Sequence, residues 1–180
     1  PLTDLLSNLN GKKEIFDKMI KRKPHDNEWY QGGLYHDNME FGVPSFWFVS
    51  WYDVSTSPNI ELFNHVRKNS KNKNIRDNQY LVIAPTLHCG FKRAKAETIV
   101  GELNVGDARL NYDEQIFMWF DYLLKGKNNL FRNKTPRVQY YTMGINKWQH
   151  SETWPPSEVV YETYFLKSKG NANTMYGDGK

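Results

Sequence analysis

The feature that most constrains the fold is a pair of short, uninterrupted runs of β-branched and aromatic residues. One run covers Val43–Ser50 and the other covers Tyr80–Ala84. Neither run alternates apolar with polar side chains, which is typical of strands covered on both faces of a parallel sheet. Between them, Ile60, Phe63 and Val66 recur at the spacing of one helix face. This order of strand, helix and strand predicts two parallel strands joined by a right-handed crossover, and therefore an α/β fold.

Helical patterns flank this unit. The segment Pro1–Lys23 is predicted to be helical and to stop at Pro24. The crossover helix is expected from Pro58, with a polar loop over Asn69–Asn78 behind it. A further amphipathic helix is predicted over Tyr112–Leu124, because apolar residues recur on one stripe and a glycine follows its end. The residues of this stripe are Ile116, Trp119, Phe120 and Leu123, and the glycine is Gly126.

The pattern changes after residue 134. The segments Val138–Met143 and Val159–Leu166 resemble strands and have no helix between them. Strands without helices predict a second, all-β module, which is shorter than a sandwich of roughly seven strands requires. Trp148 and Trp154 lie between the two strands and are expected to be exposed.

Composition excludes several classes of protein. Twenty-four basic residues against twenty acidic ones leave a net charge of +4, and the lysine clusters are expected to be solvated faces rather than a nucleic-acid site. No run approaches the roughly 20 apolar residues of a membrane helix, so no membrane partner is expected. The single cysteine, Cys89, excludes a disulfide framework within this sequence. The compartment stays open, with cytoplasmic and exported locations both compatible with the sequence.

Asp53 and His88 stand directly behind the two predicted parallel strands, 35 positions apart. Because the carboxyl ends of parallel strands share one edge of a sheet, these two side chains are expected to meet there. A carboxylate that accepts from one ring nitrogen orients the imidazole as a base, and an acid that precedes the histidine is the chain order of α/β-hydrolases. The alternative is that Asp53 caps the following turn and His88 is an ordinary loop histidine. The sequence contains no Gly-x-Ser-x-Gly nucleophile elbow.

Five short motifs in a fixed order support the first interpretation. They are Trp51-Tyr52-Asp53, Pro85-Thr86-Leu87-His88, Trp119 to Gly126, Met143 to Trp148 and Trp154-Pro155-Pro156. This order resembles the cocaine esterase and X-prolyl dipeptidyl-peptidase family of serine acyl hydrolases, which includes α-amino acid ester hydrolases and glutaryl-cephalosporin acylases. The resemblance implies that Asp53 is the triad acid, that His88 is the general base, and that the serine lies upstream of this sequence.

The resemblance also implies a division of the chain. Residues 1–41 would end a helical cap and its connection, and residues 42–134 would form the last strands and helices of an α/β-hydrolase core. Residues 135–180 would begin a truncated β jelly roll. The implied reaction is ester or amide hydrolysis or acyl transfer on a small-molecule or peptide substrate, without a cofactor or metal. A homo-oligomer is compatible with the sequence but is not defined by it.

Substrate contacts are expected from four further residues. Asp26-Asn27-Glu28-Trp29 resembles a family motif whose carboxylate holds a substrate ammonium, and the alternative is that Asp26 caps a short helix after Pro24. Trp29, Trp51 and Tyr52 are candidates to line the acyl pocket, with core packing equally open for Trp51. Cys89 is expected to be a small buried residue, because neighbours in an extended segment point apart. A competing hypothesis is a carbohydrate- or protein-binding module built around Trp148 and Trp154.

Overall fold

The computed structural model describes residues 13–32, 39–127, 131–172 and 175–179. The chain divides into two compact units, Pro1–Gly42 and Val43–Lys180. In the first unit, helix α1 covers Lys13–Lys21 and a 3-10 helix covers Asn27–Gly32. The helix predicted over Pro1–Lys23 is thus confirmed for residues 13–21, and its first twelve residues lie outside the described ranges.

The second unit alternates strands with helices. Its strands are β1 (Ser45–Tyr52), β2 (Gln79–Leu87), β3 (Ile99–Val100), β4 (Leu103–Asn104), β5 (Val138–Thr142) and β6 (Lys147–Ser151). Its helices are α2 (Thr56–Asn69), α3 (Lys73–Asp77), α4 (Tyr112–Lys125) and α5 (Phe131–Lys134), with a 3-10 turn at Phe91–Arg93.

The described residues of this unit form a four-stranded sheet in the order β1-β2-β5-β6 and a two-stranded ribbon of β3 and β4. Strands β1, β2 and β5 are parallel, and β6 returns antiparallel to β5. Helix α2 connects β1 to β2, and helix α4 lies in the connection from β2 to β5. The predicted α/β fold with parallel strands and crossover helices is confirmed.

Both faces of the sheet are covered, because alternate residues of a strand point to opposite sides. Leu81 and Ile83 of β2 pack with Ile60 and Phe63 of α2 on one face. Tyr80 of β2 packs with Trp119 of α4 and Phe131 of α5 on the other face. Phe63, Leu81, Ile83 and Phe131 have no exposed surface. Complete burial of each such side chain stabilises the fold by roughly 1.5–3 kcal/mol, so the core anchors β2 between two layers of helices.

The helices differ from the sequence predictions in two boundaries and in the exposure of one side chain. Helix α2 begins at Thr56 rather than Pro58, while Ile60, Phe63 and Val66 are buried as predicted. The polar loop expected over Asn69–Asn78 contains helix α3, since the Asn72 side chain accepts from the backbone of Asn74 and Ile75 and caps it. Phe120 of the predicted apolar stripe is 45% exposed.

The predicted separation of the β segment from the parallel sheet is wrong for its first strand. Strand β5 pairs in parallel with β2, from Leu81 opposite Val138 to Ile83 opposite Tyr140, and so extends the core sheet. The strand predicted over Val159–Leu166 is absent from the structure. In the described part of the chain, no strand pairs with this segment. The side chains of the segment, including Tyr164, Phe165 and Leu166, are exposed. A strand requires such a partner for its backbone hydrogen bonds.

The two tryptophans expected to be exposed are also packed. Trp148 lies edge-on to Tyr141 at 5.4 Å between ring centroids, and Trp154 lies 5.2 Å from Tyr140 and 5.6 Å from Trp51. Both are partly buried against core clusters because β6 folds back onto β5. Within the described ranges, no helix combines the length and apolar character that crossing a bilayer requires.

Candidate active site

The ends of β1 and β2 lie side by side, which brings Asp53 and His88 together. Tyr52, the last residue of β1, pairs with Leu87, the last residue of β2. Ser50 pairs with Ala84, so β2 carries one extra residue before its end. Pro85 lies in this irregular stretch, where its missing N–H does not interrupt a regular ladder. The bulge therefore aligns the two strand ends, and Asp53 and His88 follow them immediately.

His88 and Asp53 form a direct contact. The imidazole Nδ1 lies 2.6 Å from Asp53 Oδ2. The aspartate side chain is only 8% exposed, whereas the histidine side chain is 69% exposed. The other carboxylate oxygen, Oδ1, accepts from the backbone N–H and the hydroxyl of Ser55, both at 2.8 Å. Asp53 thus caps the turn into α2 through Oδ1 and contacts His88 through Oδ2. The sequence offered the cap and the contact with His88 as alternatives, and the structure shows both.

The protonation of the pair follows from these contacts. The N–H and hydroxyl of Ser55, followed by His88, hold the pKa of Asp53 below its ordinary value of 3.8. Asp53 is therefore ionised at neutral pH and can only accept hydrogen bonds. Nδ1 of His88 must then carry the proton toward Asp53, which leaves the lone pair of a neutral ring on Nε2. The arrangement presents an oriented basic nitrogen on an exposed ring.

A tight turn positions the histidine. The Gly90 N–H donates to the Leu87 carbonyl at 2.8 Å, and Cys89 between them has a φ of 53°. A Cβ on Gly90 would lie 2.9 Å from the Leu87 oxygen, so this position favours glycine. The turn lifts His88 out of β2 and exposes its ring.

The prediction that Cys89 is buried and points away from His88 is wrong. The thiol is exposed, and Sγ lies 3.3 Å from His88 Nε2. The prediction assumed an extended backbone, in which neighbouring side chains diverge. The left-handed conformation of Cys89 instead turns the thiol back over the ring.

A buried polar contact ties the strand ends together. The hydroxyls of Ser50 and Thr86 lie 2.9 Å apart, with the two residues 2% and 5% exposed. The Thr56 hydroxyl donates to the carbonyls of Ser50 and Asp53. None of these three residues was predicted to form a contact at the site. A serine two positions after an aspartate is a local signal for the turn at Asp53, but the contact between Ser50 and Thr86 depends on strand register.

Trp51 and Tyr52 have different surroundings. Trp51 Nε1 donates to the Tyr141 carbonyl at 2.8 Å, and the Trp51 ring packs against Trp154. These contacts connect β1 to β5 and to the segment that follows β6. Tyr52 is 40% exposed and donates from its hydroxyl to the Met143 sulfur at 3.4 Å. Tyr52 therefore offers an accessible ring beside Asp53, and a substrate contact for either residue stays a prediction.

Asp26 and Trp29 belong to the first unit. Asp26 Oδ1 accepts from the Glu28 N–H at 2.9 Å, which caps the 3-10 helix. Trp29 Nε1 donates to the Lys23 carbonyl at 2.8 Å, and the Arg22 guanidinium lies 4.6 Å from the centre of its ring. Asp26 therefore has the capping role that the sequence analysis gave as the alternative. Its contact with a substrate ammonium, and a substrate contact for Trp29, stay predictions.

Metal binding has no support in the described ranges, where no three His, Cys, Asp or Glu side chains are grouped to hold an ion.

Two family models match the sequence. Residues 2–90, which include Asp53 and His88, match the X-Pro dipeptidyl-peptidase (S15 family). Residues 129–180 match the X-Pro dipeptidyl-peptidase C-terminal non-catalytic domain. The order of the two matches agrees with an α/β-hydrolase core followed by a C-terminal module.

The chain is also similar to individual proteins, at low sequence identity. Two mycobacterial proteins provisionally named serine esterases, from Mycobacterium bovis and Mycobacterium tuberculosis, are each 26% identical over 89 residues. The alignments cover 49% of this chain but 13% of each relative. An aminopeptidase from a marine sediment archaeon, Thaumarchaeota archaeon, superposes with a TM-score of 0.57 at 24% identity. That match covers 81% of this chain and 23% of the aminopeptidase, and it supports the fold.

These matches agree with the motifs and with the parallel sheet that carries Asp53 and His88. The chain belongs to the X-Pro dipeptidyl-peptidase and cocaine esterase-like family of hydrolases.

Proposed function

We propose that this chain supplies the acid and the general base of a catalytic triad in a serine acyl hydrolase. The observation that carries the proposal is the 2.6 Å contact between His88 Nδ1 and Asp53 Oδ2. This contact involves only one nitrogen of the ring, so Nε2 can serve as the base. The nearly buried carboxylate orients the ring and stabilises the imidazolium that forms during the reaction. The ring is 69% exposed, and a serine hydroxyl that reaches Nε2 would displace the Cys89 thiol, which lies 3.3 Å from that nitrogen.

The proposed reaction begins with a serine hydroxyl that lies outside residues 1–180. Its proton moves to His88 Nε2 while its oxygen attacks the acyl carbon of an ester or amide. His88 then returns the proton to the departing alcohol or amine, which leaves an acyl-serine. In the second half, His88 deprotonates water, the hydroxide attacks the acyl carbon, and the serine recovers its proton. Asp53 accepts from Nδ1 throughout, which fixes the tautomer of the neutral ring and stabilises the imidazolium.

The substrate is proposed to be an ester, an amide or an X-Pro peptide. The family description and the esterase names of the mycobacterial relatives support this range. An accessible aromatic ring at Tyr52 is suited to an acyl group beside His88. Asp26 is the proposed contact for an α-ammonium group, as the motif Asp26-Asn27-Glu28-Trp29 implies.

The decisive experiment compares two histidine substitutions in the protein that carries this chain. His88→Gln should lower the hydrolysis of a short-chain para-nitrophenyl ester and of an X-Pro para-nitroanilide by roughly a thousandfold or more. His150→Gln, at an exposed histidine of β6, is the matched control and should keep the full rate. Circular dichroism should show both variants folded. Full activity in folded His88→Gln would remove His88 from the reaction.

The competing hypothesis of a binding module has less support than the triad. It required exposed tryptophan rings, whereas Trp148 and Trp154 are packed against Tyr141 and Tyr140. A second function is therefore not proposed.

A further inference from the structure

Helix α4 carries apolar side chains on its outer face as well as on the face that packs in the core. Trp119 packs with Tyr80 and is 9% exposed. Phe117 is 71% exposed, Phe120 is 45% exposed and Leu124 is 76% exposed. Because each helical residue advances by about 100°, these three side chains form a stripe about 60° wide on the side away from Trp119. A contiguous exposed apolar stripe is typical of an interaction surface.

The spacing of the stripe matches a contact between two helices. Phe117, Phe120 and Leu124 follow one another by three and then four residues, which is the spacing of the seam along which one helix packs lengthwise on another. Asp113 lies four residues before Phe117 and continues the same stripe. The 14 residues of α4 extend over about 21 Å, so a second helix of the same length would cover the whole stripe.

The first turn of α4 has an excess of negative charge. It contains Asp113 and Glu114, both exposed. Asp113 forms an ion pair with Lys92, whereas the Glu114 carboxylate accepts from the neutral amide of Asn111. The two carboxylates and the one ammonium group leave one net negative charge beside the stripe.

The end of the helix has the opposite charge. Lys125 Nζ lies 2.6 Å from one carboxylate oxygen of Asp121, and Lys127 Nζ lies 2.9 Å from the other. Two ammonium groups thus share a single carboxylate, which leaves one net positive charge. The outer face of α4 is therefore complementary in charge to the same face turned end to end.

We propose that the outer face of α4 is a dimer interface, on which a second copy of this chain packs its own α4 in the antiparallel direction. A two-fold axis between the helices places the acidic first turn of each beside the basic end of the other, so the favourable contact occurs twice. A parallel arrangement would bring like charges together. One helix pair buries less than the roughly 1,600 Å² of a standard interface, so the dimer is expected to be weak and reversible.

The first test measures the dissociation constant of the dimer by sedimentation equilibrium of the protein that carries this chain. Concentrations from roughly 1 to 500 μM cover the range in which a weak complex dissociates. Phe117→Ser should raise the dissociation constant roughly tenfold or more, because both copies lose an apolar contact at the centre of the interface. The matched control Val160→Ser alters another apolar residue, 83% exposed, and should keep the wild-type constant. His88→Gln should also dimerise like the wild type, since the interface is independent of the proposed triad.

The second test exchanges the charges. Glu114→Lys and Lys127→Glu should each raise the dissociation constant roughly threefold or more, because like charges then meet at both ends of the interface. The two substitutions together should restore the wild-type constant, since each introduced lysine faces an introduced glutamate of the other copy. This restoration is expected only for an antiparallel contact between two copies.

Several results would overturn the proposal. They are a monomer at every concentration, a dimer that Phe117→Ser does not weaken, and a double charge exchange that fails to restore the dimer. A lower Tm for Phe117→Ser at concentrations where the wild type is monomeric would also overturn it, because another segment of the same protein would then cover the stripe.

Discussion

Asp53→Asn isolates the contact on which the proposed chemistry depends. Asparagine has nearly the same shape, and its Oδ1 can still accept from the Ser55 N–H and hydroxyl, so the turn into α2 should be retained. What changes is the atom 2.6 Å from His88 Nδ1, where an anionic acceptor becomes a neutral N–H donor. Nδ1 must then accept, and the ring proton moves to Nε2. The substitution therefore reverses the tautomer without removing either side chain.

The expected loss is large because two effects act together. The basic nitrogen is lost from Nε2, and the imidazolium of the transition state loses the anion that lies 2.6 Å from its Nδ1. Reversal of the tautomer in a serine triad lowers kcat by about ten thousandfold, and we expect a loss of that order. Ester hydrolysis gives the rate, and the ¹⁵N shifts of the His88 ring give the tautomer.

Asp107→Asn is the matched control. It alters an aspartate whose pKa is likewise lowered, by hydrogen bonds from Arg109, but which is not among the groups that contact His88. This control should keep the wild-type rate and the wild-type His88 spectrum. The reasoning would be refuted if Asp53→Asn kept its proton on Nδ1, or if its kcat fell by less than about tenfold with the tautomer reversed.

Three further outcomes are expected. Thr86→Val should lower the free energy of unfolding by roughly 1–3 kcal/mol in urea titration, because the buried Ser50 hydroxyl loses its partner, and adding Ser50→Ala should recover part of the loss. Gly90→Ala should lower Tm and displace the His88 ring resonances, since its Cβ would lie 2.9 Å from the Leu87 oxygen, and an unchanged spectrum would contradict this. The stability that these carboxyl groups contribute should be fully present above about pH 5 and fall as pH drops further, because carboxyl pKa values lowered on folding contribute stability that is lost when those groups protonate. The pH dependence of Tm tests this for Asp53, Asp77, Asp107 and Asp121.

Local sequence patterns were sufficient for the elements that bury a continuous face. The runs at Val43–Ser50 and Tyr80–Ala84 predicted β1 and β2 to within three residues at each end, and Gly126 marked the end of α4 with a φ of 60°. Burial on both faces requires apolar residues without alternation, and a helix end in the left-handed region favours glycine. The Val159–Leu166 run shows the limit of such patterns. Strand propensity is not enough where the described chain supplies no pairing strand.

The juxtaposition of Asp53 and His88 was also predictable, since it follows from strand order alone. Residues that end adjacent parallel strands must lie at the same edge of the sheet. The double use of the carboxylate was not predictable, because it depends on which oxygen faces Ser55 and which faces the ring. The burial of Trp148 and Trp154 was missed for a similar reason, as it follows from the return of β6 over β5.

By itself, therefore, the sequence determined the alternation of strands and helices, the family, and the pair of residues at the strand ends. These depend on hydrophobic period and on residue order, which are properties of the linear chain. The tertiary structure alone decided that β5 joins the parallel sheet and that the Cys89 thiol lies against His88 Nε2. The first depends on a pairing strand that is distant in sequence, and the second depends on the backbone conformation at Cys89. A single positive φ at Cys89 was enough to convert a residue expected to be buried into a neighbour of the proposed base.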